Sequence, residues 1–236
     1  MAKRARELCA KYVPDKIINE SQAQQLNSSI SANALIGKDK SVVIVRNNSK
    51  LSKQDWRRML FHEFTHIYCA KIEMDEDNHF IEIYGSGTTS DNPNMTRDEK
   101  VYDGVLSSGY VVWSEFIAQY YALKHTKKRI YTVAMISDYI NGLIADVNLI
   151  SGDAAKDSLA MACAYLLNCS DAEKTVAMLK EPDEDMQQAQ RSFLDCLFLL
   201  HRQINKDRSW RINEDFIVEI GNAYISLKAF NSIDIS

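Results

Sequence analysis

The chain has 236 residues, 46% hydrophobic and 25% charged, which is enough apolar material for one large domain or two small ones. Its net charge of −4 gives no reason to expect binding to nucleic acid or to an anionic membrane surface. No apolar run approaches the roughly 18–20 residues of a membrane-spanning helix, and charged residues interrupt the N-terminal segment where a signal peptide would be apolar.

The cysteines indicate reduced thiols. They are odd in number, scattered, and never spaced as C-x-x-C, so neither a disulfide framework nor a cysteine-based zinc site is expected. This usage favours a cytoplasmic protein, and nothing in the sequence indicates its oligomeric state. The five positions are Cys9, Cys69, Cys163, Cys169 and Cys196.

The N-terminal part predicts two helices followed by two short strands. Helical patterns cover residues 3–13 and about 19–30. The strands are expected at Ala34–Gly37 and Ser41–Asn47, on either side of a short turn, and the second is rich in β-branched residues.

The next element is predicted to be a long helix beginning at Ser52. Ser52 and Asp55 have the spacing of a capping box, with aspartate in place of the usual glutamate or glutamine. Apolar residues then recur with helical periodicity, and neither glycine nor proline occurs from 52 to 74. Whatever lies in the middle of this segment is therefore expected on a regular helix.

The middle of this helix carries the sequence H-E-x-x-H, from His62 to His66. On a helix, His62 and His66 lie one above the other on the same face, so both imidazoles can reach one Zn²⁺ ion. Glu63 is one step round the helix, where a carboxylate can act on a water molecule at the metal without binding the metal itself.

Beyond the motif, the pattern becomes less regular and then almost entirely helical. His79–Tyr84 is a possible strand, and residues 85–95 form the most loop-like stretch of the chain. The helical pattern that follows is weakened by Gly104 and Gly109, so we expect two pieces, the stronger one at about 111–127. Further helices are expected at 129–148, 153–168, 171–180, 183–205 and 213–229.

A catalytic zinc site needs a third protein ligand, and Glu115 is the best candidate. It follows His66 by 49 residues and lies in a strong helical pattern. Ala118 and Ala122 share its face, and small residues there would let this helix approach the histidine helix closely enough for a short carboxylate to reach the metal.

Other residues are weaker candidates for roles at such a site. His79, His125, Asp103 and Glu99 are conceivable ligands or supporting groups, and Asp103 is the guess for a group that holds a ligand histidine. His201 is expected to be structural or exposed. A second electrophile would stabilise the oxyanion in peptide hydrolysis, and the sequence does not choose among its candidates, which are Tyr110, Tyr84, His79 and His125.

Segments Leu60–Tyr68 and Trp113–Ala118 together resemble zincin metallopeptidases of the gluzincin kind. They are similar to ImmA/IrrE-type proteins of bacterial mobile elements, in which a strand precedes the H-E-x-x-H helix. The gap to the glutamate is longer here, and no N-terminal DNA-binding domain is apparent. The resemblance implies a Zn²⁺ ion bound by His62, His66 and Glu115, with Glu63 as general base.

The sequence therefore predicts an α+β fold. A zincin-like domain at 1–128 holds a small sheet and the active-site helix, and a mostly helical part at 129–236 packs on it or continues the same domain. The expected function is zinc-dependent hydrolysis of a peptide or protein. Strand Ser41–Asn47 either pairs with substrate or is fully buried, and loop 85–95 forms either a lid or rim or an ordinary connection. A zincin-like binding or regulatory module without turnover, and an accidental motif, remain as alternatives.

Overall fold

A computed structural model gives the structure of the chain. It describes Glu7, Ala10 and Lys11 together with residues 32–37, 39–45, 51–71, 95–126, 132–146, 152–168, 171–179, 188–206 and 214–231. The helices expected at 3–13 and 19–30 lie almost wholly outside the described residues. The strand expected at His79–Tyr84 and nearly all of loop 85–95 lie outside them as well.

The two short strands form an antiparallel hairpin, as expected. Strand β1 (Ala32–Ile36) pairs with β2 (Ser41–Val45), with Ala32 opposite Val45 and Ile36 opposite Ser41. The Gly37 N–H donates to the Lys40 carbonyl at 3.0 Å and closes the turn. Within the described part of the chain, these two strands make up the whole sheet.

Helix α1 (Lys53–Lys71) begins where the sequence predicts. The Ser52 hydroxyl accepts a hydrogen bond from the Asp55 N–H at 3.1 Å and donates to the Asp55 carboxylate at 2.6 Å. Asp55 in the first turn and Lys71 in the last turn also complement the helix dipole. The uninterrupted stretch between them keeps His62 and His66 in regular helix.

Helix α2 (Arg97–His125) is one continuous helix of 29 residues, so the expectation of two pieces is wrong. A capping box of Thr96 and Glu99 begins it. A glycine costs a helix about 1 kcal/mol relative to alanine, and tertiary packing outweighs that cost here. At Gly109 the carbonyl of Ile217 would lie only 2.1 Å from an added Cβ, so the glycine is what permits the contact.

The remaining described elements are helices, which gives the expected α+β layout with a helical C-terminal part. They are α3 (Val133–Asp146), α4 (Gly152–Leu167), α5 (Ala172–Met178), α6 (Gln188–Lys206) and α7 (Glu214–Asn231). Among the described residues, no helix combines the length and the apolar character needed to cross a membrane.

One hydrophobic cluster joins α2 to the helices that follow it. Phe116 and Ile117 of α2 are buried together with Leu159 of α4, Leu197 of α6 and Ile217 of α7. Helix α2 also packs against α1, so it lies between the histidine helix and the C-terminal helices. The predicted domain boundary at residue 128 follows closely on the end of α2.

The crossing of α2 and α7 depends on two glycines. An added Cβ at Gly109 would lie 2.1 Å from the Ile217 carbonyl oxygen, and one at Gly221 would lie 2.0 Å from the Val105 carbonyl oxygen. Each glycine therefore accepts the backbone of the other helix in the space that a side chain would occupy.

We expect Gly109→Ala and Gly221→Ala each to lower the free energy of unfolding by about 1–3 kcal/mol, because the helices must move apart to admit the methyl group. Gly104→Ala is the matched control, since an added Cβ there meets nothing within 4 Å. It should raise stability by roughly 0.5–1 kcal/mol. Urea unfolding of the three variants measures this, and equal effects at Gly104 and Gly109 would contradict the close crossing.

Candidate metal centre

The two motif histidines face each other on the same side of α1. Their positions four residues apart on an unbroken helix bring the Nε2 atom of His62 within 3.1 Å of the Nε2 atom of His66. The rings meet edge to face, with centroids 4.8 Å apart. Two imidazole nitrogens thus point into one small volume beside the helix.

Glu115 of α2 completes this cluster from the opposite helix. One carboxylate oxygen lies 3.4 Å from His62 Nε2, and the other lies 3.8 Å from His66 Nε2. Of all the residues that the structure describes, these three form the only group of metal-ligand type, with ligand atoms within 4.8 Å of one another. Their side chains are partly buried, with exposed fractions of 15%, 18% and 22%.

The spacing of these donor atoms fits a metal ion. Ligand bonds of about 2.0–2.1 Å in tetrahedral geometry place neighbouring donor atoms about 3.3 Å apart. The distances of 3.1 and 3.4 Å lie close to this value, and 3.8 Å lies slightly above it. Two imidazoles and a carboxylate are also a donor set that suits zinc and other first-row transition metals.

The charge around the imidazoles also favours a cation. Burial opposes protonation of His62, but the hydrogen bond and charge of Glu115, with the charges of Glu63 and Asp157, raise the pKa of His62 above its ordinary value. A positive charge at the imidazole is thus stabilised by its surroundings despite the desolvation. A bound metal ion would meet the same favourable potential.

Ser114 supports His66 from the second helix. The Ser114 hydroxyl lies 3.0 Å from His66 Nδ1. When Nδ1–H donates to this hydroxyl, the lone pair of Nε2 is left facing Glu115 and His62. Asp103 was the residue expected in such a role, and Ser114 was not predicted. The position of Ser114 next to Glu115 in the sequence was a usable signal.

The surroundings of His62 differ from those of His66. Its Nδ1 atom is buried and has no hydrogen-bond partner among the described residues. The carboxylate of Asp157, on α4, is close enough to act on it electrostatically. Sequence reasoning did not connect Asp157 with the site, because 95 positions separate it from His62 and no motif marks it.

Glu63 is buried and bound to the sheet. Its Oε2 atom accepts a hydrogen bond of 2.6 Å from the backbone N–H of Ala34 on β1. Burial raises the pKa of the Glu63 carboxyl above its ordinary value, although the charge of His62 and the Ala34 N–H oppose this. A carboxyl whose pKa is raised holds a proton more readily than an exposed glutamate, and that favours a role in proton transfer beside this cluster.

The strand nearest Glu63 is β1, whereas the sequence analysis proposed Ser41–Asn47 as the strand beside the cleft. Lys71, at the end of α1, donates to the Gly37 carbonyl at 3.1 Å, so α1 is bonded to β1 and the turn after it. Ala34 precedes Gly37 and Glu63 precedes Lys71, so β1 and α1 run in the same direction.

The other candidate residues lie elsewhere. Tyr110 is in the hydrophobic core and only 2% exposed, about 140° round α2 from Glu115 by helical geometry. His125 stacks on Phe61, with ring centroids 5.2 Å apart. His79 and Tyr84 lie outside the described residues, so the oxyanion stabiliser stays a prediction.

Glu99 and His201 contribute to the structure of their own helices. Glu99 caps the start of α2, where its carboxylate accepts hydrogen bonds from the N–H and the hydroxyl of Thr96. His201 is buried on α6, and desolvation lowers its pKa although the charge of Glu173 opposes this.

Comparison of the chain with protein-family models, with curated proteins and with solved structures gives no match in any of the three. The likeness to zincins therefore rests on the His-x-x-x-His spacing and on the cluster of His62, His66 and Glu115.

We expect this centre to bind one metal ion. With Zn²⁺ as the probe, His62→Ala, His66→Ala and Glu115→Ala should each weaken binding by more than about 100-fold, because each removes one of three donors. His125→Ala is the control, since His125 lies on the same helix as Glu115 but packs on Phe61. Competition with a chromogenic chelator measures the affinities. Unchanged affinity in His62→Ala would rule out this metal centre.

Ser114→Ala should weaken zinc binding by about 10-fold, because His66 loses the group that fixes its orientation and tautomer. Ser114→Thr keeps the hydroxyl and should restore most of the affinity. The same chelator competition measures both variants, and equal losses would mean that the hydroxyl does not act through His66.

Proposed function

We propose that the protein is a zinc-dependent peptidase in which His62, His66 and Glu115 hold the metal and Glu63 is the general base. The observation that carries this proposal is the convergence of the three donor side chains between α1 and α2. Glu63 follows His62 directly in the chain, and its carboxylate interacts electrostatically with both His62 and Glu115.

The proposed chemistry follows from the donor set. His62, His66 and Glu115 would hold the ion, and a bound Zn²⁺ would supply Lewis-acid chemistry to a water molecule and a substrate carbonyl. Glu63 would accept a proton from the attacking water and deliver it to the nitrogen of the leaving amine as the C–N bond breaks. Burial supports this role because it raises the pKa of the Glu63 carboxyl and so favours its acceptance of a proton.

Strand β1 is the proposed place for the substrate backbone. It is bonded to α1 through Ala34 and Gly37, so its edge runs along the helix that carries the motif. A peptide added to that edge would lie between the strand and the histidine face. The substrate class is therefore a peptide or protein segment in extended conformation.

A second candidate is a zincin-like binding or regulatory module without turnover. The Ala34 hydrogen bond favours it, because a general base fixed to a strand at 2.6 Å has a structural use of its own. In that case, Glu63 joins α1 to the sheet and the metal stabilises the packing of α1 on α2.

The two candidates differ in the effect of Glu63→Gln. For a peptidase, this variant should lower kcat by roughly 10²–10⁴-fold, because it removes the proton acceptor. Its zinc affinity should stay close to that of the unmodified protein. Mass spectrometry of new termini in a random peptide library measures the hydrolysis.

Glu99→Gln provides the control, since Glu99 only caps the start of α2. It should cleave the library at the rate of the unmodified protein. Zinc bound equally by all three proteins, with no hydrolysis by any of them, would support the module without turnover and reject the peptidase.

A further inference from the structure

The hydrogen bond between Ala34 and Glu63 joins two groups that the proposed reaction needs apart. The donor is a backbone N–H of β1, and the acceptor is the carboxylate proposed as general base. At 2.6 Å the bond is short even for one with a charged acceptor. It ties the strand to α1 beside the metal ligands.

The register of the hairpin shows which edge of β1 this N–H occupies. Gly37 and Lys40 form a hydrogen-bonded pair at the turn. Hydrogen-bonded and non-hydrogen-bonded pairs alternate along an antiparallel ladder, so Ala34 opposite Val43 is a non-hydrogen-bonded pair. The backbone groups of Ala34 therefore point away from β2, and the same alternation applies to Ala32 and Ile36.

An extended peptide that adds to this edge must use those same groups. In strand addition, the outward N–H and C=O groups of alternate residues pair with the backbone of the incoming peptide. Ala34 is the middle one of the three such residues on β1. While its N–H is donated to Glu63, it is not available to a substrate carbonyl.

We propose that the Ala34–Glu63 hydrogen bond is a latch that an extended peptide opens. A substrate carbonyl replaces the Glu63 carboxylate as acceptor of the Ala34 N–H, and Glu63 is released toward the metal ligands. The exchange leaves the N–H bonded both before and after, so no buried donor is left unsatisfied. The base is then free only when a peptide is paired with β1.

This inference rests on the proposed function, and it also specifies the substrate. Only a peptide in extended conformation places a carbonyl opposite Ala34, so folded loops and single amino-acid derivatives do not open the latch. The Ala34–Glu63 contact therefore selects unfolded chains as substrates. The metal and its ligands do not make that selection.

The test measures peptide binding to the zinc-loaded full-length protein. The probes are the tightest binders from a library of fluorescent ten-residue peptides of random sequence, measured by anisotropy. Glu63→Ala removes the competing acceptor and should tighten peptide binding by about tenfold or more. Glu63→Gln is the matched control, because its amide oxygen still accepts from Ala34, and it should tighten peptide binding much less than Glu63→Ala does.

A second substitution shows whether the gain acts through Ala34. Replacing Ala34 by lactic acid turns its backbone amide into an ester and removes the N–H with little change of shape. In this background, Glu63→Ala should no longer tighten binding. The same replacement at Ile36, with the corresponding hydroxy acid, should leave the gain from Glu63→Ala in place.

Three results would overturn the proposal. They are the absence of a gain in Glu63→Ala, a gain that survives in the Ala34 ester, and the absence of any bound peptide. Hydrolysis of the same peptides by the unmodified protein is scored separately. If the gain in Glu63→Ala depends on the Ala34 N–H but no peptide is hydrolysed, the peptidase is rejected and the latch is kept. If peptides are hydrolysed but the gain does not depend on the Ala34 N–H, the latch alone is rejected.

Discussion

Two imidazoles and a carboxylate share the gap between α1 and α2, and the packing of these two helices holds them there. A carboxylate in a partly buried gap is costly unless charge or hydrogen bonds compensate it. The hydrogen bond with His62, whose pKa is raised by Glu115, supplies that compensation at 3.4 Å. The electrostatics of the gap and the spacing of the helices therefore depend on each other.

Helix α2 meets this constraint because its buried face is packed on other helices. Phe116 and Ile117, directly after Glu115, are buried in the cluster that extends to α4, α6 and α7. The charge of Asp157 on α4 also raises the pKa of His62. The C-terminal helices thus contribute to the position and the charge of the candidate centre, although they contain none of the three donors.

The sequence predicts the parts of this arrangement that depend on local pattern. The Ser52 cap, the unbroken helix and the four-residue spacing of His62 and His66 are all local. Glu115 could be selected because Ala118 and Ala122 share its face, and both are fully buried in the structure. The second strand was marked by its run of β-branched residues between turn-forming ones.

The parts that escaped prediction depend on contacts between distant residues. Helix α2 continues through Gly109 because the backbone of Ile217 occupies the space beside it, and a helix propensity carries no such information. The bond from Ala34 to Glu63 depends on how β1 lies along α1, which neither segment reveals alone. Ser114 is next to Glu115 in the sequence, but its hydrogen bond with His66 depends on how α1 and α2 pack.

Because α2 is continuous, its crossing with α7 at Gly109 affects the position of Glu115. Glu115 lies six positions after Gly109, about 9 Å along the helix axis. Metal–ligand bonds tolerate only about 0.2 Å of error. The crossing with α7 fixes α2, and it therefore sets how far the Glu115 carboxylate extends toward a bound ion. Helix α7, which contributes none of the three described donors, would thereby influence which ion fits.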